Sequence, residues 1–246
     1  MRIFVINLPH RADKRAEILA QGGKYQLPLE IVEAVNGNAL SDGELKTLAH
    51  DYPACAMTKG VVGCALSHLK IYKKICDENI PIALILEDDA ILHEDLGEAL
   101  RQLESLDRNE RPSVYLLSSH YYKPRPVRRL NDKYAVHEFI DGSQGHGYVV
   151  NQKAAESLYK NLLPVKWEAD KWYYFQQMKL ASVYCVAPHI IKVNGGAALS
   201  DLYAERAPQN KKRREYLNTL RNVTSRRQQL RKLLWKIFKR PFVKKS

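Results

Sequence analysis

No run of about 18 apolar residues occurs anywhere in the 246-residue chain, which excludes an ordinary membrane-spanning helix. The apolar run after Met1 is short and meets charge at once (RIFVINLPHRADKR), so it does not read as a secretory leader. Cysteine is scarce: Cys55, Cys64, Cys76 and Cys185 form no CxxC pair and no zinc-type spacing. Free thiols in a reducing compartment, and hence a cytoplasmic protein, are the expectation. Internal repeats are missing, and no low-complexity segment precedes the C-terminal tail. No GxGxxG follows the first apolar strand, so a dinucleotide-binding dehydrogenase finds no support.

Acidic residues are nearly absent from one region. Residues 206–246 hold 15 Lys or Arg and a single acid, Glu215, whereas residues 1–205 hold 24 basic and 26 acidic residues. The formal charge of +12 therefore belongs to the tail, and a near-neutral body carries the chemistry.

Within that body, residues 82–92 read IALILEDDAIL. Five apolar residues have the length and composition of a buried strand, and Glu87, Asp88 and Asp89 close it. Like charges at one sheet edge call for a compensating cation, and a hard divalent metal bridging to phosphate would supply it. In open α/β sheets ligands bind at the carboxyl ends of strands, where these acids fall. A solvated acidic turn at a helix start is the plain alternative.

Strand and helix patterns alternate elsewhere. Strands are expected at 2–7, 29–34, 114–118 and 182–187, and after the glycine-rich turn at 142–151. Helices are expected at 13–21, 41–51 (Ser41 and Glu44 forming a capping box), 60–76, 94–106, 153–162 and 170–178. The proline-containing, basic stretch 120–137 reads as loop. This order predicts an α/β fold with a mixed, mostly parallel sheet.

Four blocks together carry a family likeness: IFVINL followed by Arg11 and Arg15, GVVGCALSH over 60–68, LILEDDAIL, and GHGYVV over 145–150. The chain resembles glycosyltransferase family 25 over roughly residues 1–200. The resemblance implies a GT-A-like nucleotide-sugar domain over 1–205, a UDP-sugar donor and inverting transfer, usually of galactose. It assigns Asp89 to a divalent metal, Mn²⁺ or Mg²⁺, helped by Glu87 or Asp88. His189, behind Pro188, is a further metal candidate, with a plain loop histidine as the alternative. Asn7, Arg11 and Arg15 would meet the nucleotide, with arginine pairing to phosphate. Gly63, Ser67 and His68 would approach the donor, and Gln144, His146 and Gly147 would line the floor under its sugar. Local hydrogen bonding and tight packing explain both blocks equally well. Asp170, within an aromatic cluster of Trp167, Trp172, Tyr173 and Tyr174, is the expected acceptor base, with Asp141 and Glu168 as substitutes; a helix-capping role is the alternative.

The tail repeats apolar residues at Leu230, Leu233, Leu234, Ile237 and Phe238 between basic ones, an amphipathic helix suited to an anionic membrane surface. No nucleic-acid recognition motif accompanies it. The combined expectation is a metal-assisted galactosyltransferase at the inner face of the cytoplasmic membrane. It would move galactose from UDP-galactose to a lipid-linked oligosaccharide, the lipooligosaccharide or lipopolysaccharide core. UDP-glucose or UDP-N-acetylglucosamine as donor, and a non-catalytic glycan- or lipid-binding adaptor, are the alternatives.

Overall fold

The computed structural model describes residues 1–193 and 205–221, together with Leu230, Leu233, Leu234 and Ile237. An eight-stranded mixed sheet runs in the order β2-β1-β3-β8-β5-β9-β7-β6. Its strands are β1 (Arg2–Asn7), β2 (Leu29–Glu33), β3 (Ile82–Glu87), β5 (Ser113–Leu116), β6 (Tyr121–Arg129), β7 (Ala135–Asp141), β8 (Gly147–Asn151) and β9 (Ser182–Ala187). A small antiparallel pair, β4 (Ala90–Ile91) with β10 (Lys192–Val193), lies beside it. β1 pairs in parallel with β2 and β3, and β5 with β9, while β8 runs antiparallel between β3 and β5.

Alternate residues of the central strands bury on opposite faces, as pleat geometry requires. Phe4, Ala83 and Ile85 join one apolar cluster with α3 (Lys59–Asp77), α5 (Gln152–Asn161) and α6 (Trp172–Gln177). Ile3, Val5, Leu84 and Leu86 join the other with α1 (Ala12–Lys24) and α4 (Leu96–Leu106). Burial on both faces is why these strands read as continuous apolar runs rather than alternating ones. The short α2 (Asp42–Leu48) starts with the expected capping box: Glu44 N donates to Ser41 Oγ, and Ser41 N donates to the Glu44 carboxylate at 2.8 Å.

Two expectations change. Residues 120–137, read as loop, instead supply β6 and the start of β7. β6 is the last strand of the sheet, so Pro124 and Pro126 are tolerated where no further ladder bond is needed, and its pairing with β7 is irregular beside them. The tail also begins later than residue 206. α7 (Asn210–Arg221) packs on the body: Leu217 is buried, and Tyr216 Oη donates to Asp51 at 2.8 Å. Buried Arg213 donates to both Glu168 oxygens at 2.9 and 3.1 Å, and to the carbonyls of Cys55 and Lys166 at 3.0 and 2.9 Å. Of the tail's apolar stripe, Leu230, Leu233, Leu234 and Ile237 are helical and 45–55% exposed. Trp235 and Phe238 lie outside the described residues. No helix among those described is long and apolar enough to cross a membrane.

Candidate functional site

β1 and β3 are parallel neighbours, so their carboxyl ends set Asn7 beside the acidic triplet. β3 stops at Glu87, and Asp88 and Asp89 form the turn into β4. The three acids nevertheless divide by direction. Asp88 Oδ2 accepts from Asn7 Nδ2 at 2.8 Å, and Lys14 Nζ stands 3.7 Å from Asp88 Oδ1. Burial raises the Asp88 carboxyl above its usual range, against the lowering effect of Asn7 and Lys14.

Glu87 and Asp89 face the other way, toward His146. Its Nδ1 is 3.3 Å from Asp89 Oδ1 and 3.5 Å from Glu87 Oε2. The antiparallel neighbour β8 makes this meeting possible, and Glu87 N donates to the His146 carbonyl at 3.0 Å. Burial disfavours a charged imidazole here, but Asp89 and Glu87 outweigh it and push His146 up to about 10. Glu87 is moved the opposite way: burial opposes its ionisation, but His146 and His68 hold it well below the usual carboxylate range.

One ligand atom from each of Glu87, Asp89 and His146 lies within 4.8 Å of the other two. Two carboxylates and an imidazole are ligands that a divalent cation such as Mn²⁺ or Mg²⁺ accepts. The two carboxylates that push the His146 imidazole up would equally favour a bound cation in place of its proton. The residues present therefore fit a divalent cation.

A cavity of about 280 Å³ opens beside these acids. It is floored by the ends of β1 and β2 (Ile6, Leu8, Ala34) and walled by the α3 amino terminus (Gly60, Cys64). Arg11 lines it and also donates to Asp13 at 3.0 and 3.1 Å. Arg15 is exposed and is not part of the lining, whereas Lys14 is. Sequence reasoning missed Lys14; a basic residue in the first turn of α1, the helix that follows β1, was the available signal.

The GVVGCALSH block divides in the structure. A Cβ on Gly63 would lie 2.5 Å from Gly37 N and 2.6 Å from the Val35 carbonyl, so this glycine lets the helix cross the 34–38 loop. Ser67 Oγ donates to the Gly63 carbonyl and accepts from Val35 N, both at 2.8 Å, which ties it to the same crossing. His68 reaches the acids: Nδ1 is 2.7 Å from Tyr148 Oη, and Nε2 is 3.5 Å from Glu87 Oε1.

Gly145 and Gly147 bring the 142–147 turn against the site. A Cβ on Gly145 would stand 2.7 Å from Glu87 Oε1 and 3.9 Å from Asp170 Cβ, and one on Gly147 would collide with Ile191. Asp170 therefore lies across Gly145 from Glu87. Its Oδ1 is buried without a hydrogen-bond partner, and burial raises its carboxyl. The Gln144 carbonyl accepts from Trp172 Nε1 at 2.9 Å, fixing the turn to the aromatic cluster. Of the substitute bases, Glu168 is consumed by Arg213, and Asp141 ends β7, paired with Tyr121. His189 lies outside the Glu87, Asp89 and His146 cluster, so the histidine that accompanies the acids is His146.

Residues 1–173 match the model of glycosyltransferase family 25 (LPS biosynthesis protein). Human procollagen galactosyltransferase 2 is 26% identical over 182 residues, which is 66% of this chain and 29% of that protein. A rat protein described as a probable inactive glycosyltransferase 25 family member 3 is 30% identical over 109 residues, 41% of this chain and 19% of its own. The chain thus spans less than a third of the length of these curated relatives. Among solved structures, a putative glucose-1-phosphate thymidylyltransferase from Bacillus anthracis aligns with a TM-score of 0.42 at 10% identity, covering 87% of this chain and 95% of that one. With the family model matched over well more than half its length, the chain belongs to glycosyltransferase family 25.

Proposed function

We propose that this protein is an inverting galactosyltransferase with a GT-A-like catalytic domain. It would transfer galactose from UDP-galactose to a sugar hydroxyl of a lipooligosaccharide or lipopolysaccharide core. The observation that carries this reading is the convergence of Glu87, Asp89 and His146 beside a cavity of about 280 Å³ at the carboxyl ends of β1 and β3. Glu87, Asp89 and His146 would hold the divalent cation, which supplies charge neutralisation for the diphosphate leaving group. Lys14 and Arg11 add positive charge on the same cavity wall. Asn7 holds Asp88 in place for a donor hydroxyl.

Asp170 is the base in this reading. Its carboxylate takes the proton of the acceptor hydroxyl as that oxygen bonds to the anomeric carbon. The anomeric carbon–oxygen bond to the diphosphate breaks, and its electron pair leaves with UDP. A carboxyl raised by burial, with an uncommitted oxygen, is a better proton acceptor than an exposed aspartate. The exposed Leu230, Leu233, Leu234 and Ile237, in a tail of 15 basic residues and one acid, support docking on the anionic inner face of the cytoplasmic membrane, where a lipid-linked acceptor would lie.

The deciding experiment is a panel of UDP-sugars with purified protein, with and without Mn²⁺ and with EDTA. UDP release from UDP-galactose that needs the cation is expected; release that survives chelation removes the metal from the mechanism. The relatives described as inactive favour one second reading, a non-catalytic glycan- or lipid-binding adaptor. Absence of UDP release from every donor would select it.

A further inference from the structure

Glu87 stands between two histidines. Oε2 faces His146 in the cluster described above, while Oε1 faces His68 Nε2 at 3.5 Å. On the His68 side a third ligand type is present. Cys64 and His68 are four residues apart on α3, so both project from one face of the helix. One ligand atom each from Cys64, His68 and Glu87 lies within 4.8 Å of the others.

His68 supplies an independent sign that this position is built for a ligand. The residue is 2% exposed, and its Nε2 has no hydrogen-bond partner. A buried ring nitrogen with no hydrogen bond, facing only a carboxylate oxygen at 3.5 Å, is uncommon and asks for an explanation. The other ring nitrogen is fixed by Tyr148 Oη at 2.7 Å, and Tyr148 Oη is itself 2.7 Å from Tyr72 Oη. A ligating imidazole is oriented by this kind of outer hydrogen bond.

We propose that Cys64, His68 and Glu87 form a second cation site, selective for a thiophilic divalent ion of the Zn²⁺ class. Thiolate and imidazole are the ligands such an ion prefers, whereas the Glu87/Asp89/His146 side has no sulfur. Tetrahedral zinc spaces sulfur, nitrogen and oxygen ligands by about 3.3–3.6 Å. The His68–Glu87 separation of 3.5 Å already meets this, and binding would require Cys64 Sγ, within 4.8 Å of both, to close the remainder. The thiol proton goes to solvent as the sulfur binds. All three residues line the cavity, which leaves the fourth position open to water or an incoming ligand.

Because Glu87 is shared, an ion on the Cys64 side draws on the carboxylate that the hard cation needs. Zn²⁺ should therefore inhibit Mn²⁺-supported turnover. This consequence rests on the transferase reading; the site itself does not.

Cd²⁺ is the probe, because a cadmium–thiolate bond absorbs in the near ultraviolet and needs no turnover to be seen. Reduced, metal-stripped full-length protein should develop this band with one equivalent of Cd²⁺. Cys64→Ser should lose the band, and Asp89→Asn, on the other cluster, should keep it. Alkylation of Cys64 by iodoacetamide, read by peptide mass spectrometry, should slow at least tenfold in the presence of Cd²⁺. The alkylation test uses the wild-type chain and so stands even if the serine variant misfolds. In the turnover assay, half-inhibition of Cys64→Ser should need about tenfold more Zn²⁺ than wild type, each measured against its own uninhibited rate. A missing band, a band that persists in Cys64→Ser, or unchanged alkylation overturns the proposal. Under those outcomes His68 is only the ion-pair neighbour of Glu87. Failure of UDP release with the band intact sinks the transferase reading and leaves this site standing.

Discussion

Replacing Arg213 with methionine should destabilise the protein by about 3–5 kcal/mol, the usual result of removing one partner of a buried ion pair. Arg213 and Glu168 side chains are 8% and 9% exposed and share two hydrogen bonds. Without the guanidinium, the Glu168 carboxylate keeps only Lys171, 3.7 Å away, and the carbonyls of Cys55 and Lys166 lose a donor. A second route reaches the same size. Burial opposes ionisation of Glu168, but Arg213, with a smaller contribution from Lys171, holds its carboxyl at about 2. Against an unfolded value near 4.3, a gap of roughly two units corresponds to about 3 kcal/mol. The folded value is depressed, so this stability is present above about pH 4.3 and fades as the pH falls toward 2. Urea unfolding followed by tryptophan fluorescence should show the loss at pH 7. The midpoint of thermal unfolding should fall by about 6–20 °C. The acid-side stability loss assigned to Glu168 should be missing in the variant. Arg213→Met/Glu168→Leu should recover much of the deficit, since no unpaired charge remains. A loss under about 1 kcal/mol for Arg213→Met would show that α7 does not belong to the folded body and refute the reasoning.

Asp170→Asn should lower kcat for transfer about 10²–10⁴-fold while leaving the KM for donor within a few-fold, as measured by UDP release with a saturating soluble acceptor. Gly63→Ala forces a methyl against the backbone at Val35 and Gly37 and should cost about 1–3 kcal/mol in chemical denaturation. Deleting residues 222–246 should weaken co-sedimentation with anionic vesicles by tenfold or more and leave turnover of a soluble acceptor intact; equal loss of both would assign the tail to the catalytic body.

The candidate site was partly legible in the chain. The EDD stretch announced itself because a five-residue apolar run followed by three acids leaves few arrangements of strand and turn. His146 and Asp170 were recognisable as polar residues beside glycine or aromatic positions, but His146 meets Glu87 because β8 runs antiparallel to β3, and Asp170 meets the 142–147 turn at Gly145, pairings no local pattern states. Gly63 and Ser67 show the opposite. The block reads as donor-facing, and Ser67 does line the cavity, but both residues also fix the crossing of α3 over the 34–38 loop, a contact the sequence does not state. Pro124 and Pro126 broke the strand pattern of β6, and only its place at the sheet edge makes those prolines acceptable.

By itself the sequence determined what depends on neighbours along the chain. The buried strands, the Ser41 cap, the location of the acids and the separation of a neutral body from a basic tail all follow from apolar period, local hydrogen bonding and composition. Tertiary structure alone decided which charges meet. Asp88 turns to Asn7 and Lys14, Asp89 turns to His146, and Glu87 is divided between His146 and His68. Arg213 leaves the basic tail for the interior because Glu168 is buried there to receive it. Coulomb interactions act through space over a few ångströms, and residues up to 81 positions apart come within that range only when the sheet assembles.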